Sequence, residues 1–182
     1  MTTVVIPFRS GGKTRLPATI RIELSLAMLC DVITAAGPVG HVRVVTDDRV
    51  AAQLAVELSA EAVGDPGAGQ GAAVAAALVG LEGSCLIVNA DLPCVSPAAL
   101  SLLAARSGSL VAAADGTTNA LSLVELPQFV PLYGPGSADR FAAAGFHAVT
   151  IPELEQDVDS LADLEQLTLP VGARTALVLV VN

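Results

Sequence analysis

The sequence predicts an α/β fold built on a doubly wound, largely parallel sheet. Short apolar runs alternate with longer, helically spaced segments over residues 1 to 114. The run CLIVNA (85–90) is apolar almost throughout, as a central strand buried on both faces must be, and glycine-rich loops follow strands.

Taken in order, TVVIPF (3–8) reads as a buried strand. Ile20, Leu24, Ala27, Met28 and Val32 then recur at helical spacing within 19–36, which stops at Gly37-Pro38. HVRVVT (41–46) is the next strand, and Asp47-Asp48 can cap a helix over 49–59. AEAV (60–63) is a short strand, followed by the loop GDPGAGQG and a helix over 72–81. After CLIVNA, the segment DLPCVSP leads into a helix near 97–106, and SLVAAA (109–114) is a strand. The alternation then weakens. DGTTNALSLVEL reads as a turn into a strand, YGPGSADRF as a loop entering a short helix, and HAVTI (147–151) as another strand. Ser160 to Asp163 has the form of a capping box and starts a last helix, while the tail TALVLVV reads as an added strand or a packing arm.

A chain of 182 residues with 53% apolar content fits one domain, 1–182, with an ample core. Its apolar runs are far shorter than the ~20 residues that span a bilayer, and MTTVVIPF lacks the basic-then-apolar form of a secretory leader. No membrane association and a cytoplasmic location are therefore expected. Cys30, Cys85 and Cys94 are odd in number and lack metal or redox spacing, so they read as reduced packing thiols. His41 and His147 have no ligand spacing and no assigned role. A net charge of −9, 3% aromatic residues and no tryptophan argue against nucleic acid as a partner.

Against that acidic background, Arg9, Lys13 and Arg15 are three of only nine basic residues, and Lys13 is the only lysine. They flank Gly11 and Gly12 just after the first strand. Backbone N–H groups of such a turn, joined by cationic side chains, suit a polyphosphate. The loop matches neither G-x-x-x-x-G-K-[ST] nor G-x-G-x-x-G, which disfavours ATP hydrolysis and dinucleotide binding.

Asp91 in NADLP falls just beyond the central strand, where ligands gather in open α/β sheets. Asp157 and Asp159 alternate around Val158, so both carboxylates point one way if the stretch is extended. Together with Asp91 they can supply hard oxygen ligands to Mg²⁺, which binds through one or two carboxylates plus substrate phosphates. GTTNAL and YGPGS offer the small residues, hydroxyls and amides that a small phosphorylated acid requires.

In this order, VVIPFRSGGKTRL, GDPGAGQG, NADLP, GTTNAL, YGPGSADRF and DVDSLADL resemble the guanylyltransferases that activate phosphoenolpyruvate or 2-phospho-L-lactate in coenzyme F420 biosynthesis. Those enzymes fall within the nucleotidyltransferase class that includes the molybdenum-cofactor enzymes. The likeness runs from about residue 3 to residue 165, and the trio GTTNAL, YGPGS and DVDSLADL is its most specific part. It implies a single Rossmann-like, three-layer domain of the nucleotide-diphospho-sugar transferase type that transfers GMP from GTP and releases pyrophosphate. By the same resemblance, Asp91 and Asp159 hold Mg²⁺. Lys13 and Arg15 stabilise the leaving group, and Gly11, Gly12, Gly69 and Gly71 lie at the nucleotide. Asn119, Gly134 and Ser137, with Thr118 adjacent, hold the phospho-acid.

One loop departs from the pattern: where the family reads G-G-L-N-A-A, this chain has Gly69-Gln70-Gly71-Ala72-Ala73, which leaves the choice of base open. The sequence does not decide between phosphoenolpyruvate and 2-phospho-L-lactate as acceptor; its lysine-poor, Ala/Val/Arg-rich composition looks bacterial rather than archaeal, and by that association phosphoenolpyruvate is expected. A downstream transferase is expected to take the labile product. Transfer to a pterin or sugar phosphate, and a non-catalytic nucleotide-binding regulator of the same fold, are the alternatives.

Overall fold

The computed structural model describes residues 2–10, 15–124, 126 and 129–181. Seven strands form one sheet in the order β3-β2-β1-β4-β6-β5-β7: β1 (Thr3–Pro7), β2 (His41–Thr46), β3 (Glu61–Gly64), β4 (Cys85–Val88), β5 (Ser109–Ala112), β6 (Thr118–Leu123) and β7 (His147–Ala148). Pairings β1·β2, β1·β4, β2·β3 and β5·β7 are parallel, and β6 runs against both β4 and β5.

The period-2 geometry of the strands divides the core between the two faces. Val4, Ile6, Val42, Val44, Leu86 and Val88 face one layer, packed by α1 (Ala18–Ala36), α2 (Arg49–Glu57) and α4 (Pro97–Ala104). Val5, Val45, Ile87, Leu121 and Leu123 face the other, packed by α3 (Gln70–Leu78) and α5 (Ser137–Ala143). The expected three-layer arrangement with a mostly parallel sheet is thus observed. Asp48 caps α2 by accepting from Val50 N at 2.8 Å and Ala51 N at 3.0 Å. Ser160 and Asp163 form the anticipated capping box of α7 (Leu161–Gln166). Among the described residues, no helix is long and apolar enough to cross a membrane.

Two expectations need correction. HAVTI contributes only the two-residue β7, because its remainder turns into α6 (Pro152–Glu155), where Ile151 and Leu154 enter the core. The tail, read as an added strand or a packing arm, is not a strand but a helix, α8 (Ala173–Val181), which packs on α1 as an arm. Tertiary context overrides propensity there. Val178 packs with Leu16, Leu24, Met28 and Val158, and the buried Asp31 of α1 accepts from the N–H groups of Arg174 (3.0 Å) and Thr175 (2.8 Å). A carboxylate at these first-turn amides satisfies donors that a helix start otherwise leaves open. The three cysteines are unbridged and buried, as expected.

Candidate active site

Three carboxylates from two distant segments meet at the carboxyl end of β4. Oxygens of Asp91, Asp157 and Asp159 all lie within 4.8 Å of one another. The join is made by Val158, whose side chain is fully buried beside Leu24 and Met28 and whose N–H donates to the Asp91 carbonyl at 3.0 Å. With Val158 turned inward, its flanking aspartates turn towards Asp91, as the alternating pattern required. Both segments named for the metal are brought together, and Asp157 joins the pair drawn from the resemblance.

Asp157 is held by Asn119, whose Nδ2 donates to Asp157 Oδ1 at 3.2 Å and to the Leu154 carbonyl at 3.1 Å. Burial raises the Asp157 pKa to about 6, with further contributions from the Asp91 and Asp159 charges against the opposing Asn119 hydrogen bond. Clustered acidic oxygens that repel one another in this way are a hard donor set suited to a small divalent cation. Asp159 also pairs with Arg15 at 3.2 Å, and the Arg15 side chain is 71% exposed. The Asp159 backbone N–H donates to Asp163 of the capping box at 2.9 Å, which fixes the loop from the other side.

The trio separates two clefts. One, of about 300 Å³, is lined by Arg9, Ser25, Asp65, Gln70 and Asn89 and reaches Asp91 and Asp159. The other, of about 210 Å³, lies between Arg15, Asp115, Glu155 and Gln166 and reaches Asp157 and Asp159. Asp159 lines both. Arg9 is engaged with Asp65, its Nε and Nη2 donating to one carboxylate oxygen at 3.2 and 2.9 Å, while the other oxygen accepts from Gly67 N at 2.8 Å. The first loop is thereby tied to the GDPGAG loop. The gathering of positive charge read from the sequence therefore serves protein carboxylates as well: Arg9 braces a loop and Arg15 faces the acidic trio.

Gly69 precedes α3 at φ +94°, a backbone conformation that favours glycine. Gly71 lies so close to Pro131 that any β-carbon would collide with that ring. Thr118 and Ser137 bond to each other through their hydroxyls at 3.0 Å and are almost fully buried, and Gly134 adopts φ +112° in the turn before α5. Thr118, Asn119 and Ser137 are thus engaged with protein partners and line neither cleft, and Asn119 touches the site through Asp157. Gly11, Gly12 and Lys13 fall outside the described residues. Sequence reasoning passed over Gln70 and Asn89 as site residues, although the departure at position 70 was the available signal; Gln70 Nε2 donates to Asn89 Oδ1 at 2.8 Å in the wall of the larger cleft.

The α/β sheet, with an acidic trio just beyond the carboxyl end of its central strand β4, shares its fold with solved nucleotidyl transferases. Among solved structures, a protein from Desulfovibrio desulfuricans G20 described as a nucleotide-diphospho-sugar transferase superposes with a TM-score of 0.73 at 14% identity, covering 100% of this chain and 94% of its own. A nucleotidyl transferase from Methanothermobacter thermautotroptrophicus gives 0.68 at 18% identity, covering 100% and 99%. Residues 2–133 match the family described as guanylyl transferase CofC like, and the chain belongs to that family. Among its relatives, the phosphoenolpyruvate guanylyltransferase of Geodermatophilus obscurus is 37% identical over 97% of this chain and 93% of that protein.

Proposed function

We propose that this protein transfers GMP from GTP to phosphoenolpyruvate, releasing pyrophosphate, as a step of coenzyme F420 biosynthesis. The observation that carries the reading is the meeting of Asp91, Asp157 and Asp159 between two clefts, in a chain of the guanylyl transferase family. In the proposed reaction, a phosphate oxygen of the acceptor attacks the α-phosphorus of GTP. The new P–O bond forms as the bond to the β-phosphate oxygen breaks, and pyrophosphate leaves with that electron pair. The acceptor phosphate is already ionised at neutral pH, so no protein nucleophile is required.

Asp91, Asp157 and Asp159 are the residues that would hold Mg²⁺, which when bound neutralises phosphate charge and aligns the reacting groups. The larger cleft takes the nucleoside and the smaller one the acceptor, so the two reactants approach from opposite sides of Asp159. Arg15, exposed and paired only at the surface, can exchange Asp159 for a phosphate at little cost, because such pairs contribute about 0–1 kcal/mol. Lys13 and the amides of Gly11 and Gly12 complete the leaving-group site in this reading, and Gly69 with Gly71 lets the backbone approach the nucleotide. Thr118, Asn119, Gly134 and Ser137 shape the acceptor side, with Asn119 acting on Asp157. Catalysis is then mostly positioning and electrostatics. The product is a mixed phosphoanhydride, which a following transferase would consume.

Pyrophosphate release measured for GTP, ATP and CTP against phosphoenolpyruvate, 2-phospho-L-lactate, a sugar phosphate and a pterin phosphate tests the assignment. Turnover confined to GTP with phosphoenolpyruvate is expected. Activity only with a sugar or pterin phosphate overturns it.

A further inference from the structure

We infer that Gln70, held by Asn89, is the residue that reads the nucleoside of the donor through a neutral hydrogen-bond donor on the base or ribose; the inference rests on the nucleotidyl-transfer reading above. Asn89 Nδ2 donates to the Thr118 carbonyl at 3.1 Å. A carbonyl can only accept, so this bond fixes which way the Asn89 amide faces. Its Oδ1 is then an acceptor, and the only group Gln70 can offer it at 2.8 Å is its NH₂. The Gln70 Oε1 is left as the acceptor of the pair. The Asn89 backbone N–H is itself anchored on the Asn119 carbonyl at 2.9 Å, so the assembly rests on the ends of β4 and β6.

Both amides line the cleft that ends on Asp91 and Asp159, where the triphosphate must lie if transfer occurs there. The charged groups elsewhere in that cleft, Arg9 and Asp65, are engaged with each other. Ser25, 3% exposed in the same wall, has an Oγ without a hydrogen-bond partner among the described residues. A wall of neutral amide and hydroxyl groups next to an acidic centre suits the uncharged half of a nucleotide. The neighbouring position cannot share the task, since any side chain at Gly71 would run into Pro131. An acceptor such as Oε1 selects a ligand N–H or O–H: N1–H or the 2-amino group of guanine, or a ribose hydroxyl.

The test is calorimetric binding of GTP, ATP, ITP and 2′-deoxy-GTP with Mg²⁺ and no acceptor, for the native protein, Gln70→Leu and Gln70→Glu. Native protein is expected to bind the analogue lacking the contacted donor about tenfold more weakly than GTP. ITP lacks only the 2-amino group and ATP lacks both it and the N1–H, so weak binding of both marks the 2-amino group and weak binding of ATP alone the N1–H, while 2′-deoxy-GTP reports the 2′-hydroxyl. Gln70→Leu should weaken GTP about tenfold and erase that difference, and Gln70→Glu, which keeps an acceptor but loses the NH₂ that Asn89 holds, should also lose most of the preference. Unchanged affinities and ratios in Gln70→Leu overturn the inference, as does native protein that binds none of the four. Selective binding without pyrophosphate release to phosphoenolpyruvate would instead overturn the proposed reaction and leave the role of Gln70 standing.

Discussion

Asn119 reaches from β6 to Asp157, 38 residues further along the chain, and donates to its Oδ1 at 3.2 Å while the same nitrogen satisfies the Leu154 carbonyl. One amide thus orients a site carboxylate and closes the turn that carries it. Replacing it with alanine frees Asp157 and strands a buried carbonyl. Asn119→Ala is expected to raise the Mg²⁺ concentration for half-maximal pyrophosphate release about tenfold. Thermal or urea unfolding should show a loss of about 1–3 kcal/mol.

The acidic trio should make metal-free stability fall as pH rises. Folded Asp157 keeps its proton up to about pH 6, whereas an unfolded aspartate releases it near ~3.9. Between those values the folded chain binds the extra proton, so stability is lost as pH increases through the window. A divalent cation offsets the repulsion only when the carboxylates are ionised. The gain in Tm on adding Mg²⁺ to EDTA-treated protein should be larger at pH 7 than at pH 5. Equal gains at both would contradict this account.

Asp91→Asn should separate activity from stability. It removes one carboxylate of the proposed Mg²⁺ site, and pyrophosphate release is expected to fall by about a hundredfold or more. It also removes a charge that raises the Asp157 pKa, so the metal-free variant should melt no lower than the native protein at pH 7. Strain of this kind, maintained for function, is common where like charges are gathered.

Gly172, whose N–H donates to the Pro93 carbonyl at 2.8 Å, precedes α8 directly against the Asp31 carboxylate, and a β-carbon there would overlap it. Gly172→Ala must displace the cap of α8. An unfolding experiment should register a cost of about 2 kcal/mol, and Asp31→Ala a comparable one through loss of the two amide bonds. With Val178 no longer seated beside Val158, the aspartate loop should also loosen, which amide hydrogen exchange at Val158 would detect.

Much of the sheet was legible because buried parallel strands must be apolar and their loops must carry glycine. CLIV and HVRVVT have that form, and their ranges were found to within a residue or two. The cap at Asp48 and the capping box at Ser160 are local chemistry and need no tertiary partner. By contrast, HAVTI and the tail carry strand-like propensity that packing overrode. The site was legible in its parts: Asp91 follows a strand, and Asp157 and Asp159 alternate around an apolar residue. Gln70 was visible only as a departure, since nothing local reveals that a helix-start amide meets Asn89.

Alternation of apolar runs and glycine-bearing loops was enough to predict the α/β class, because these depend on periodicity and residue type over short spans, while the order of the motifs carried the family resemblance that implied the chemistry. Which partners each polar side chain takes was decided only on folding. Arg9 meets Asp65, Asp31 caps a helix beginning at Ala173, and Val158 carries Asp157 and Asp159 to Asp91. Such pairings close long loops, and their geometry is set by burial of apolar neighbours such as Val158 and Val178, which the pattern of the polar residues themselves does not encode.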